Sequence, residues 1–138
     1  MQISARVHNR EGQHEVRVST DGTDHPLVVS AKAAGRGSSV NGGELLLLAL
    51  ATCYCNDLYR EAALRKIVVD EVEVEVAAEF GAPGEPARNV TYRVKVAAQG
   101  NEQEIRALLA HTDTVTEVQN TLRVATPVAL AGVEVIAR

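Results

Sequence analysis

With 138 residues the chain is long enough for one domain, and with 46% apolar but only 3% aromatic residues its core must be built from Val, Leu, Ala and Ile. A net charge of −4 without any run of Lys or Arg excludes the basic patch that a nucleic-acid partner requires. The longest aliphatic run, Leu45–Ala51, falls far short of the ~20 residues that span a bilayer. No apolar stretch follows Met1, so neither a membrane partner nor a secretory signal is expected and a cytoplasmic setting is.

The chain opens on alternating segments. Ile3–Val7 and Glu15–Ser19 read as strands around a turn at Asn9–Gly12, and Pro26–Ser30 reads as a third after Asp21-Gly22. The small-residue stretch Ala33–Ser39 leads into Asn41-Gly-Gly-Glu44, which has the spacing of a capping box with Asn41 as N-cap. The helix it starts is expected to reach about Ile67. Its first half, Leu45–Cys55, is apolar nearly all round, as in a helix buried on most sides.

Two long strands come next. Val72, Val74 and Val76 alternate with glutamates; Val90, Tyr92, Val94 and Val96 alternate with Thr91, Arg93 and Lys95. Paired as a hairpin across Gly81–Pro86, they set Glu75 near Arg93 and Glu73 near Lys95, a solvated face that fixes register. Helices are expected over Glu102–Ala110 and about Thr114–Val124, then a closing strand at Gly132–Ile136. Segregated runs of this kind predict an α+β fold, with a long helix on antiparallel sheet, in a single domain over 1–138.

The two thiols, Cys53 and Cys55, fall in one helix about 200° apart and cannot bridge without unwinding it. Inert packing is their plain reading, since free cysteine is among the most buried residue types. A reactive thiolate needs a cation. Asp57, one turn on from Cys53, opposes it, and Arg60 at i+7 is too distant to help. Arg10 and Arg36, each in a glycine-flanked turn, are the candidates. Four scattered histidines give no zinc tetrad, and Gly35–Gly43 lacks the Lys-Ser/Thr of a P-loop. Neither a metal nor a cofactor is expected.

Asn41-Gly-Gly-Glu-Leu-Leu46 followed by Ala51-Thr-Cys-Tyr54 resembles the helix motif of the osmotically inducible protein C and organic hydroperoxide resistance (OsmC/Ohr) family. Thr116-Glu-Val-Gln-Asn-Thr-Leu122 and His8-Asn-Arg-Glu-Gly12 echo its other two motifs. The resemblance implies an OsmC-like, intertwined homodimer that reduces organic hydroperoxides. Cys53 takes the place of the peroxidatic thiolate and Arg10 that of its cation, at the floor of an apolar crevice. The chain departs from the family at three points. Thr116 stands where the resolving cysteine falls, the carboxylate that pairs with the arginine falls at Gly43 with Glu44 beside it as the substitute, and Gly42 replaces a proline. An external thiol reductant is then required, or Cys55 if the helix distorts. The alternative is a diverged dimer that binds an apolar small molecule in the same cleft without turnover.

Overall fold

The computed structural model describes residues 1–138 as two compact units, 1–46 and 47–138, with the division falling inside a helix. Composition carries no trace of such a boundary, because both sides of it are the same aliphatic run.

The first unit is a three-stranded antiparallel sheet in the order β1 (Ile3–Arg10), β2 (Gln13–Thr20), β3 (Thr23–His25). Val7 faces Val16 and Arg10 faces Gln13 across the first hairpin, whose turn needs Gly12 at φ +73°. The third strand comes earlier than expected. It ends at His25, because Pro26 has no N–H to give the ladder. Asn9 reaches forward from β1, its Oδ1 accepting from the Gly37 N–H at 3.2 Å, and so pins the small-residue loop.

Helix α1 (Gly42–Leu64) starts at the expected capping box. The Asn41 N–H donates to Glu44 Oε1 at 3.0 Å, and the Glu44 N–H donates to Asn41 Oδ1 at 2.8 Å. It stops short of Ile67 because Lys66 turns left-handed at φ +57°, letting the Ile67 N–H close back on the Ala62 carbonyl at 2.9 Å.

In the second unit, β4 (Val69–Glu79) and β5 (Arg88–Ala98) form an antiparallel hairpin in the expected register, Glu73 opposite Lys95 and Glu75 opposite Arg93. Helices α2 (Glu102–Val115) and α3 (Glu117–Arg123) follow. The break between them lies later than the sequence indicates, at Thr116, whose extended backbone ends one helix and begins the other. Tyr54, Leu58 and Ala62, one helical turn apart on α1, meet Leu108 of α2 in the core. Val72, Val74, Tyr92, Val94 and Val96 of the hairpin pack against them. The closing strand does not form. Beyond α3, residues 126–138 have no regular structure, and Val133, Val135 and Ile136 are about three-quarters exposed. Their alternation suits a strand, but they pair with neither sheet.

One polar node ties this unit together. Tyr92 of β5 donates to Asp113 of α2, and Arg123 of α3 donates to the same carboxylate at 2.7 Å and to the Asp113 carbonyl at 2.9 Å. Burial pushes the Asp113 carboxyl up, but the hydrogen bonds from Tyr92 and Arg123 outweigh it and leave the group below its usual value of 3.8. A depressed folded-state pKa stabilises the fold above the unfolded value and loses that contribution as pH falls through the folded one. Wild type should therefore exceed Asp113→Asn in stability at pH 7, and urea midpoints at pH 3 should show the gap narrowed. A gap that is constant with pH would contradict the node.

Candidate functional site

Cys53 lies half-buried on α1, one turn before Asp57 and on the side of the helix that meets α3. Its Sγ is 3.5 Å from Asp57 Oδ2 and 3.8 Å from Glu117 Oε2, and the Val118 N–H points at the sulfur. A single S–H proton serves two carboxylate acceptors. Asp57 is buried, Glu117 exposed.

Charge around the sulfur is the reverse of what a reactive thiolate needs. Burial raises the Cys53 thiol pKa above its usual value. The Val118 N–H lowers it, while Asp57 and then Glu117 raise it further. Burial also raises the Asp57 carboxyl, as does the charge of Glu117, against the pull of Arg60. Glu117 moves the other way, held low first by its own backbone N–H and, after a smaller opposing effect of burial, by hydrogen bonding to Asp57. The guanidinium of this unit closest in sequence, Arg60, donates to Asp57 Oδ1 at 2.8 Å and Glu61 Oε1 at 3.2 Å. Glu61 also meets His111 at 3.1 Å.

The placement of Cys53 depends on the packing of α1 against α2 and α3. Tyr54, next in sequence, donates its hydroxyl to the Leu109 carbonyl at 2.9 Å, and burial pushes its phenol up to about 12. Gln119 of α3 donates Nε2 to the Leu50 carbonyl at 2.9 Å, fixing α3 one turn before Cys53. Thr116, where a second thiol was expected to be missing, is fully buried and donates to the Asp113 carbonyl at 3.0 Å. Its role here is to shape the α2–α3 break that aims Glu117 and Val118 at the sulfur.

The remaining candidates have other partners. Arg10 and Arg36 belong to the first unit, with mostly exposed side chains paired to Glu15 at 4.0 Å and Glu11 at 3.6 Å. Glu44 accepts from the Asn41 N–H rather than from either arginine, because the capping box already uses its carboxylate. Cys55 points away from Cys53, as the 200° offset requires, and lines a shallow surface depression with Ala51, Thr52, Asn56 and Val74. Cys53, Asp57 and Glu117 are the residues whose donor atoms converge, all within 4.8 Å. One soft and two hard donors, with Asp57 already compensated by Arg60, make a poorer set than the nitrogen and sulfur ligands of a structural zinc site.

Asp57 was legible as an opposing charge. Glu117 and Val118 were not, since nothing in the sequence links position 53 to residues more than sixty positions on. The one available signal was their place next to Thr116 in the weak third motif.

No helix is long and apolar enough to cross a membrane. Residues 35–131 match the family described as OsmC-like protein. No curated protein matches the sequence. Solved structures with this fold include an OsmC-like protein from Mycoplasma pneumoniae at 15% identity and TM-score 0.62, covering 88% of this chain and 86% of that one. An OsmC-like protein of unknown function from Vibrio cholerae aligns at 17% identity and TM-score 0.62, covering 88% and 93%. An organic hydroperoxide resistance protein from Legionella pneumophila aligns at 20% identity and TM-score 0.56, covering 89% and 90%. At these identities the likeness speaks for the fold. With the family match over more than half its length, the chain belongs to the OsmC-like family.

Proposed function

We propose that the protein reduces organic hydroperoxides with Cys53 as the attacking sulfur, in a cytoplasmic homodimer. The observation that carries this reading is the half-buried Cys53 at the helix position the family motif specifies, with the Val118 N–H directed at its Sγ. The thiolate attacks the O–O bond, giving a sulfenic acid and, once the departing oxygen is protonated, an alcohol. The first external thiol condenses with the sulfenic acid, releasing water and forming a mixed disulfide, and a second thiol attacks the outer sulfur of that bond, which expels the Cys53 thiolate and leaves the external disulfide. The uncovered apolar side chains of residues 126–138 support dimerisation.

The raised Cys53 pKa favours a second reading, a dimer that binds an apolar molecule without redox turnover. Cumene hydroperoxide consumption with dithiothreitol as reductant separates the two. Turnover lost in Cys53→Ala, with sulfenic acid trapped at Cys53 in the wild type, is the expected result. Oxidation of wild type no greater than that of Cys53→Ala would refute the enzymatic reading.

A further inference from the structure

Nothing in the family motifs assigns a role to Asp57 or Glu117, yet the carboxylates of these two residues flank the sulfur. Their carboxylate oxygens stand 3.5 and 3.8 Å from Cys53 Sγ, one buried behind it and one exposed beside it. The charged groups around them are Arg60, which pairs with Asp57 and Glu61, and His111, which pairs with Glu61. Counting Asp57, Glu117 and Glu61 against Arg60, the cluster is net negative, and it stays so with His111 counted as a cation. We infer that Asp57 and Glu117 act as a charge filter on Cys53, admitting cationic and neutral partners to the sulfur and disfavouring anionic ones.

The consequence concerns the reductant. Thr116 carries no thiol and Cys55 points away from Cys53, so an oxidised Cys53 needs a reductant from outside, which meets the exposed carboxylate of Glu117 beside the sulfur. A thiol bearing an amine, or a neutral one, approaches down the local potential; a thiol bearing carboxylates climbs it. The assignment of a reductant rests on the proposed peroxidase reading. The filter itself does not, because it is a property of the sulfur's surroundings.

The test uses the full-length protein with Cys55→Ser, so that a single thiol reports, in the presence of EDTA. Cys53 is modified with a methanethiosulfonate bearing trimethylammonium and with one bearing sulfonate. The thiolate displaces sulfinate and forms a mixed disulfide in both cases. The ratio of the two rates is divided by the same ratio for 2-mercaptoethanol. At low salt this quotient should exceed roughly tenfold, as expected for a net negative charge within several ångströms of the reacting atom. It should fall toward one in 0.5 M salt and in Asp57→Asn and Glu117→Gln. Should Asp57→Asn fail to fold, Glu117→Gln, at an exposed position, still decides. A quotient near one, a quotient unmoved in Glu117→Gln, or a sulfur inert to both reagents overturns the inference. With cysteamine and 3-mercaptopropionate as reductants, turnover should favour the amine. A charge quotient without hydroperoxide consumption would defeat the peroxidase reading and leave the filter standing. Consumption that is indifferent to reductant charge, with a quotient near one, would defeat the filter alone.

Discussion

Leu58→Ala should lower the unfolding free energy of the protein by about 3–4 kcal/mol. Leu58 is fully buried in the C-terminal half of α1, with Tyr54 and Ala62 a turn to either side, Leu108 of α2 in the same core and the valines of the β4–β5 hairpin packed against it. Truncation removes apolar surface from that contact and leaves a cavity. The neighbours that could refill it belong to three separate elements, and Tyr54 and Tyr92 are already held by hydrogen bonds to Leu109 and Asp113. Leu64→Ala, at the exposed end of the same helix, should stay within about 0.5 kcal/mol of wild type. Urea unfolding followed by circular dichroism would give both values, and a loss below about 1 kcal/mol for Leu58→Ala would misplace the core.

Where the sequence could be read and where it could not follows from what kind of interaction was at stake. The capping box at Asn41 and Glu44 is a local bond between residues three apart, and it forms as the spacing requires. The β4–β5 register was legible because one slip would turn every valine to solvent and set Glu73 and Glu75 opposite valines instead of opposite Lys95 and Arg93. Pro26 overrides the strand pattern that follows it, since its missing N–H ends the ladder that Leu27 to Val29 would otherwise extend. The strand pattern at Gly132–Ile136 is real as a pattern and unformed in the single chain, because alternation reports a preference and not the presence of an edge. At the site, Asp57 could be placed relative to Cys53 from helical geometry alone. Glu117 could not. It reaches the sulfur only because Thr116 breaks α2 from α3 and Gln119 anchors the second piece to Leu50. Two charges brought together by tertiary packing leave no local signature.

Asp57→Asn should make Cys53 the more reactive thiol. Iodoacetamide should alkylate it roughly three- to tenfold faster at pH 7.5, with the rate profile moved to lower pH. The substitution removes a like charge 3.5 Å from the sulfur and frees the guanidinium of Arg60, now held by Asp57 at 2.8 Å. Both effects favour the thiolate. Two considerations limit the gain. Burial, the largest cause of the raised thiol pKa, is untouched, and Glu117 remains. A thiolate of lower pKa is also a weaker nucleophile, so a tenfold rise in thiolate fraction gives a net rise of roughly threefold to fourfold. Arg60→Ala should act in the opposite direction, leaving the Asp57 charge uncompensated beside the sulfur and slowing alkylation. The two variants together test the sign of the field at Cys53. Slower alkylation in Asp57→Asn would mean that Asp57 accepts the thiol proton productively, as a base in the reaction rather than a brake on it.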